Sequence, residues 1–139
     1  MIAPSARVAI SAGADTFKHS IKIKDAAAIT GVPIETINHH ASLAAAAGLP
    51  LIEKRRHRRV LSPHGIYVLW TLRSLRDAGM SLSPSLVRAV LHVTHRHGRP
   101  VLPGLGDLMQ LGRGLVGLEA DLSQLWFESQ AAIKDHRHG

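Results

Sequence analysis

The stretch from Ile23 to His40, IKDAAAITGVPIETINHH, decides how this chain is read. Ile23, Ala27 and Ile29 precede the corner Gly31-Val32-Pro33. Ile34, Ile37 and Ala41 then recur at i, i+3, i+7, one stripe of a second short helix. Asp25 near the start of the first segment suits the positive end of a helix. Gly31 supplies the positive φ of a tight turn, and Pro33 has its φ pre-set for a first helical turn. Two short helices joined in this way are a helix-turn-helix candidate, the second carrying Glu35, Thr36, Asn38, His39 and His40 outward. Any corner between two helices shares the pattern, so the flanking sequence has to decide.

Going outward, the second helix is expected over Pro33 to Ala47, closed by Gly48 with Pro50 beyond. Steps of ~100° put Ile34, Ile37, Ala41 and Ala45 on its core face and Glu35, Thr36, His39, His40 and Leu43 opposite. Leu43 fits poorly there: it packs on something, or the helix ends sooner. Leu51 to Ser62, LIEKRRHRRVLS, reads as a β-hairpin with a basic tip near Arg55 to His57, although no Asn-Gly pair marks the turn. Lys54, Arg55, Arg56, Arg58 and Arg59 crowd into six positions. They form either a solvated, localisation-like tract or a wing lying along a phosphate backbone. Lys18, Lys22 and Lys24, ahead of the first helix, touch phosphates or are simply solvated. Residues 1–20, rich in Ala, Ser and Gly, read as a flexible arm.

On the far side of the hairpin, Ser62-Pro63 and Ser83-Pro84 are two helix starts, each an N-cap followed by proline at N1. Ile66, Leu69, Trp70, Leu72 and Leu75 trace a core face up to Gly79, and Trp70 belongs to that core. Leu86, Val87, Val90, Leu91 and Val93 trace the next helix, expected to stop near Gly98 before a Pro/Gly-rich linker over 99–106. Residues 107–135 are expected to form one last helix. In it Leu108, Leu111, Leu115, Leu118, Leu122 and Leu125 alternate in steps of three and four, the a/d pattern of a coiled coil. Gly112, Gly114 and Gly117 cost that helix about 1 kcal/mol each. The stripe packs on the chain's own core or, the preferred reading, on a second copy.

The 139-residue chain is 45% hydrophobic but only 4% aromatic, and its Ala and Leu content favours helices over a β-sandwich. A net charge of +7 calls for a polyanionic partner, nucleic acid or an anionic membrane surface. The charge is uneven: residues 51–100 hold ten Lys/Arg against Glu53 and Asp77, whereas acids predominate from residue 101. The absence of cysteine excludes disulfides, thiolate metal sites and cysteine redox sensing. No apolar run suits a signal peptide or a bilayer span, so a cytoplasmic protein is expected. An enzyme is not expected, for want of a nucleophile motif, a phosphate loop or paired carboxylates in an apolar setting. His92 and His95 share a helix face at i, i+3, but no carboxylate stands near; a solvated helix end is preferred, with no metal and no cofactor.

Several of these motifs resemble the MerR (mercury-resistance regulator) family of winged-helix transcription regulators. Thr30-Gly31-Val32 resembles the family's turn, and Glu35-Thr36-Ile37 the start of its recognition helix. Arg59-Val60-Leu61-Ser62-Pro63 is similar to its wing exit, and Leu69, Leu72, Leu75 with Gly79-Met80-Ser81-Leu82 to its third helix and the turn after it. Residues 21–92 are covered. The chain departs where Asn38 replaces the family's arginine, His39-His40 an aromatic pair, and Arg58 and Leu61 the wing aromatics. The family's cysteine metal ligands and effector domain have no counterpart.

The resemblance implies a mostly α fold: a winged helix-turn-helix with a small β-hairpin wing and a C-terminal leucine-rich dimerisation helix. The divisions would be an arm at 1–20, a DNA-binding domain at 21–98, a linker at 99–106, a dimerisation helix at 107–135 and a tail at 136–139. It implies a homodimeric, nucleoid-associated regulator that binds double-stranded DNA at specific sequences, its effector unknown. The DNA-binding set would be Lys24, Thr36, Asn38, His39, His40, Lys54, Arg55, Arg56, Arg58 and Arg59. Asn38 would pair bidentately with adenine, Thr36 touch a thymine methyl or a phosphate, and His39 donate to guanine or a phosphate. The wing arginines would add affinity with little sequence information. The alternatives are an architectural or phage-type DNA factor, such as an excisionase or small terminase subunit, and a protein-interaction adaptor.

Overall fold

The chain runs β1 (Ile21–Lys22), α1 (Ile23–Thr30), α2 (Ile34–Ala46), β2 (Glu53–Arg55), β3 (Arg58–Leu61), α3 (Pro63–Asp77) and α4 (Pro84–Thr94). Two short hairpins follow, β4 (His95–Arg96) with β5 (Arg99–Pro100) and β6 (Leu108–Arg113) with β7 (Val116–Asp121), before α5 (Leu122–His138). This is a computed structural model, and it describes residues 10, 13, 15–113 and 116–138. The molecule is mostly helical, with small antiparallel sheets. None of the described helices is long and apolar enough to cross a membrane.

α3 is the helix on which the others pack. Ser62 starts it, its Oγ accepting the Gly65 N–H at 3.0 Å, and Pro63 occupies the first turn where a missing N–H costs nothing. Ile66, Tyr67, Val68, Leu69, Thr71 and Leu72 are all buried, so this helix has almost no wet face. α1, α4 and α5 lie against it. Ser83 caps α4 in the same manner, accepting from Leu86 N–H at 3.2 Å. Both Ser-Pro starts were thus legible in the sequence. A three-stranded sheet in the order β1-β3-β2 closes one side, with Ile21 opposite Leu61 and Lys22 opposite Val60.

The last third of the chain departs from the sequence expectation. A single helix over 107–135 does not form. β6 and β7 instead make a hairpin that pairs Leu108 with Asp121, Leu111 with Leu118 and Gly112 with Gly117; the helix begins only at Leu122. Glycines disfavour a helix there, and a ladder satisfies the same backbone groups. The tail assigned to 136–139 is helical up to His138. α4 ends at Thr94 rather than near Gly98, because His97 (φ 54°) and Gly98 (φ 76°) form the tip of the β4–β5 turn. The linker at 99–106 therefore contains β5.

Much of the arm assigned to 1–20 lies outside the described residues. Its end is fastened down: Thr16 is buried and its carbonyl accepts from His64 N–H at 3.1 Å, while Ser20 N–H donates to Leu61 O at 3.0 Å. His64, only 2% exposed, sits where these pieces meet. Its Nε2 lies 2.9 Å from Thr94 O and 3.1 Å from Val101 O, so the neutral ring carries its proton there. The rings of Phe17, Tyr67 and His95 surround it. Burial first, then the neighbouring His95, pushes this imidazole down to about 4 from 6.5.

Candidate nucleic-acid interface

The corner between α1 and α2 is built by three groups. Thr30 Oγ donates back to Ala26 O at 2.7 Å and accepts from Val32 N–H at 3.2 Å, which pins both sides of the turn. Gly31 takes φ 71°, and its N–H closes on Ala27 O at 2.8 Å. Arg73 of α3 then donates to Thr30 O at 2.7 Å, supplying a cation where the carbonyl end of α1 points. The same guanidinium lies over the half-buried Trp70 and pairs with Asp77 at 3.4 Å. Trp70 sits at the core edge, its Nε1 donating to Glu128 of α5 at 3.3 Å.

α2 buries Ile37, His40 and Ala44, a stripe at i, i+3, i+7. The face expected from the sequence is therefore rotated: Ile34 is 42% exposed and Ala45 is exposed. His40, expected outward, is corrected to an inner position at 3% exposure, and its Nδ1 has no hydrogen-bond partner. Burial first, then His39 and Arg76, pushes its imidazole down to about 4 from 6.5. It is a core residue and cannot read DNA. Leu43 is partly buried against the core, which resolves its awkward place. Glu35 and His39 are exposed, and Thr36 and Asn38 are half-buried at the flanks.

Beside α2 stands the β2–β3 hairpin, whose register is Glu53 opposite Val60, Lys54 opposite Arg59 and Arg55 opposite Arg58. Two successive cross-strand pairs therefore set cation against cation, each a destabilising arrangement. Arg56 (φ 48°) and His57 (φ 68°) form the two-residue tip, both left-handed, a conformation that favours Asn and Gly. Lys54, Arg55, Arg56, Arg58 and Arg59 are all exposed. Arg55 is partly offset by Glu53 at 3.2 Å, which also meets His19 at 3.1 Å.

A side-chain hydrogen bond joins hairpin and helix, Arg59 Nη2 donating to Asn38 Oδ1. Between them lies a groove of about 510 Å³, walled by Asn38, Ser42, Lys54 and Arg59 over Ala41 and Ile52. The Asn38 amide oxygen is thus engaged within the chain. Lys24 is exposed on the first turn of α1, a helix length from the corner. The Asn38–Arg59 hydrogen bond thus brings predicted residues of the helix and the hairpin together.

The sequence did not show that Arg96 and Arg99 come together. They oppose each other across β4–β5, with His97-Gly98 as the tip between them. The pair Gly98 after His97, flanked by arginines, was the available signal, hidden by extending α4 to that glycine. Arg96 and His97 wall a second groove, of about 670 Å³, that reaches Ala47 and Leu49 beyond the end of α2. His95 is half-buried, its Nδ1 2.9 Å from Leu91 O, and burial lowers its pKa.

The expected dimer seam is dispersed. Leu108 is 53% exposed on β6, Leu111 and Leu118 are cross-strand partners, and Leu115 lies outside the described residues. Leu122 and Leu125 are buried in the chain's own core.

Comparison with protein-family models, with curated proteins and with solved structures gives no match.

Proposed function

We propose that this chain is a winged helix-turn-helix regulator of MerR-like type that binds double-stranded DNA at specific sequences. α2 enters the major groove, and the β2–β3 hairpin lies along the flanking phosphates. The observation that carries this reading is the hairpin itself. It places Lys54 against Arg59 and Arg55 against Arg58, on a tip that strains two non-glycine residues, directly beside the outward face of α2. For stability alone such a hairpin is unfavourable; opposite a polyanion the repulsion is relieved and counterions are released. Thr36, Asn38 and His39 are the α2 residues within the reading face. Homodimers would match a two-fold operator.

A second reading has its own support. Among the described residues, Leu108, Leu111 and Leu118 lie in a hairpin and Leu122 and Leu125 in the core, so these five do not line up as a coiled-coil seam. An architectural or excisionase-like factor binding as a single copy fits that arrangement.

Selection from random duplexes, followed by anisotropy titrations over a salt series, tests the reading. One sequence should be preferred over random DNA. Changing Arg55, Arg56, Arg58 and Arg59 to alanine should flatten the salt slope by about one unit for each phosphate no longer neutralised. Binding that ignores both sequence and salt refutes it. Sedimentation of the bound complex separates two copies per site from one.

A further inference from the structure

Asn38 of α2 is hydrogen-bonded by the hairpin, and the chemistry of that bond fixes what it can recognise. An arginine side chain has donors only. The amide atom facing Arg59 Nη2 must therefore be Oδ1; rotating the amide would set N–H against N–H. One acceptor lone pair of Asn38 is thereby used, and the guanidinium charge beside the other opposes an approaching N–H donor. The remaining polar atom of the amide is Nδ2, with two N–H donors. Arg59 adds its own further N–H groups, and Lys54, its cross-strand partner, lines the same groove. The Ser42 hydroxyl proton is committed to Asn38 O at 3.1 Å.

We infer that the Asn38–Arg59 pair is a donor-only reading unit that selects guanine in the major groove and disfavours adenine. This rests on the DNA-binding reading above. Guanine offers N7 and O6, two adjacent acceptors; adenine sets an N6 amino donor beside its N7, and cytosine offers an N4 amino donor. A free asparagine pairs with adenine by giving one N–H and accepting one. Here the accepting half of that arrangement is occupied by Arg59. The hairpin arginine is thus a specificity determinant acting through the helix residue, beyond any phosphate it contacts.

The experiment starts from the preferred duplex found by selection with the full chain, and locates the base pair whose substitution is felt by the wild type but not by Asn38→Ala. That base should be guanine. Exchanging it for adenine should weaken binding roughly 5- to 150-fold, and 7-deazaguanine, which lacks the N7 acceptor, should also weaken it. Arg59→Ala releases Oδ1, so the preference at that position should move toward adenine while affinity falls on every sequence. In the free protein, the Nδ2 amide resonances of Asn38 should shift in Arg59→Ala at an unchanged circular dichroism spectrum. A wild-type preference for adenine at that position overturns the assignment while leaving the DNA-binding reading intact. So does an Arg59→Ala variant that keeps the wild-type base preference, or one whose Asn38 resonances do not move. Failure to bind any duplex overturns both.

Discussion

Mild acid should unfold this protein through two buried imidazoles. His64 and His40 are each at most 3% exposed, and both are held at about 4 against an ordinary 6.5. His64 gives its one proton to two carbonyls and is ringed by Phe17, Tyr67 and His95. His40 has an unpartnered Nδ1, with His39 and Arg76 as its charged or chargeable neighbours. The folded pKa is depressed for a basic group, so the unfolded chain binds more protons between the two values. Stability is full above about pH 6.5 and falls as pH drops toward 4. At ~1.36 kcal/mol per pH unit, each ring accounts for about 3 kcal/mol and the two for about 6, against about 5–15 kcal/mol for a typical domain. His19 and His95 are shifted the same way, by burial first, and add to the slope. Urea unfolding at pH 7.5, 6, 5 and 4.5, followed through the buried Trp126, measures it. His64→Gln keeps a donor for the carbonyls without titrating, and His40→Leu removes the unpaired nitrogen. The double variant should lose most of the pH dependence. Equal wild-type stability at pH 7.5 and 5, or a double variant as steep as the wild type, refutes the reasoning.

Other consequences are simpler to state. Arg56→Asn with His57→Gly relieves φ 48° and 68° and should stabilise the chain by about 1–2 kcal/mol in thermal unfolding, while DNA affinity falls with the reduced charge. Gly31→Ala should cost about 1–2 kcal/mol for its φ of 71°, with an added loss because the new Cβ would lie 3.0 Å from Arg73 Nη1; an unchanged melting temperature would show that the corner is not held as described. Leu122→Glu buries a charge at a position 5% exposed and should abolish the cooperative melt in circular dichroism rather than merely separate two copies. A folded Leu122→Glu chain that only changes its sedimentation would restore the leucine seam.

What the sequence revealed was local chemistry. Ser62-Pro63 and Ser83-Pro84 start helices because the serine hydroxyl and the proline φ act within one turn. The Thr30-Gly31-Val32 corner is closed in part by bonds within its own turn of helix, and the basic hairpin was legible in outline. The leucines failed for a specific reason. Residues seven apart lie on one face of a helix, but Leu111 and Leu118 are also direct partners in an antiparallel ladder. Period alone cannot separate these; Gly112 opposite Gly117 tips the balance. His40 was misplaced because the inner face of α2 was anchored on Ile34, whereas the stripe the helix buries runs through Ile37 and Ala44. The Asn38–Arg59 contact spans 21 residues, and no local rule could have supplied it.

The packing of α5 has a practical consequence for anyone wishing to dissect the protein. Leu122, Leu125, Trp126 and Ile133 are buried, Trp126 stacking edge-on to Tyr67 of α3 at 5.4 Å. Gln130 donates to Pro63 O at 3.2 Å, and His136 meets Asp25 of α1 at 3.3 Å. Those four apolar side chains are worth about 1.5–3 kcal/mol each, together about 6–12, which rivals the whole stability of a domain. A fragment ending at Gly106 would keep the corner and the basic hairpin in its sequence yet lose the cover of the helix that holds them. A fragment without α5 should therefore melt at a lower temperature and less cooperatively than the full chain, which circular dichroism would measure.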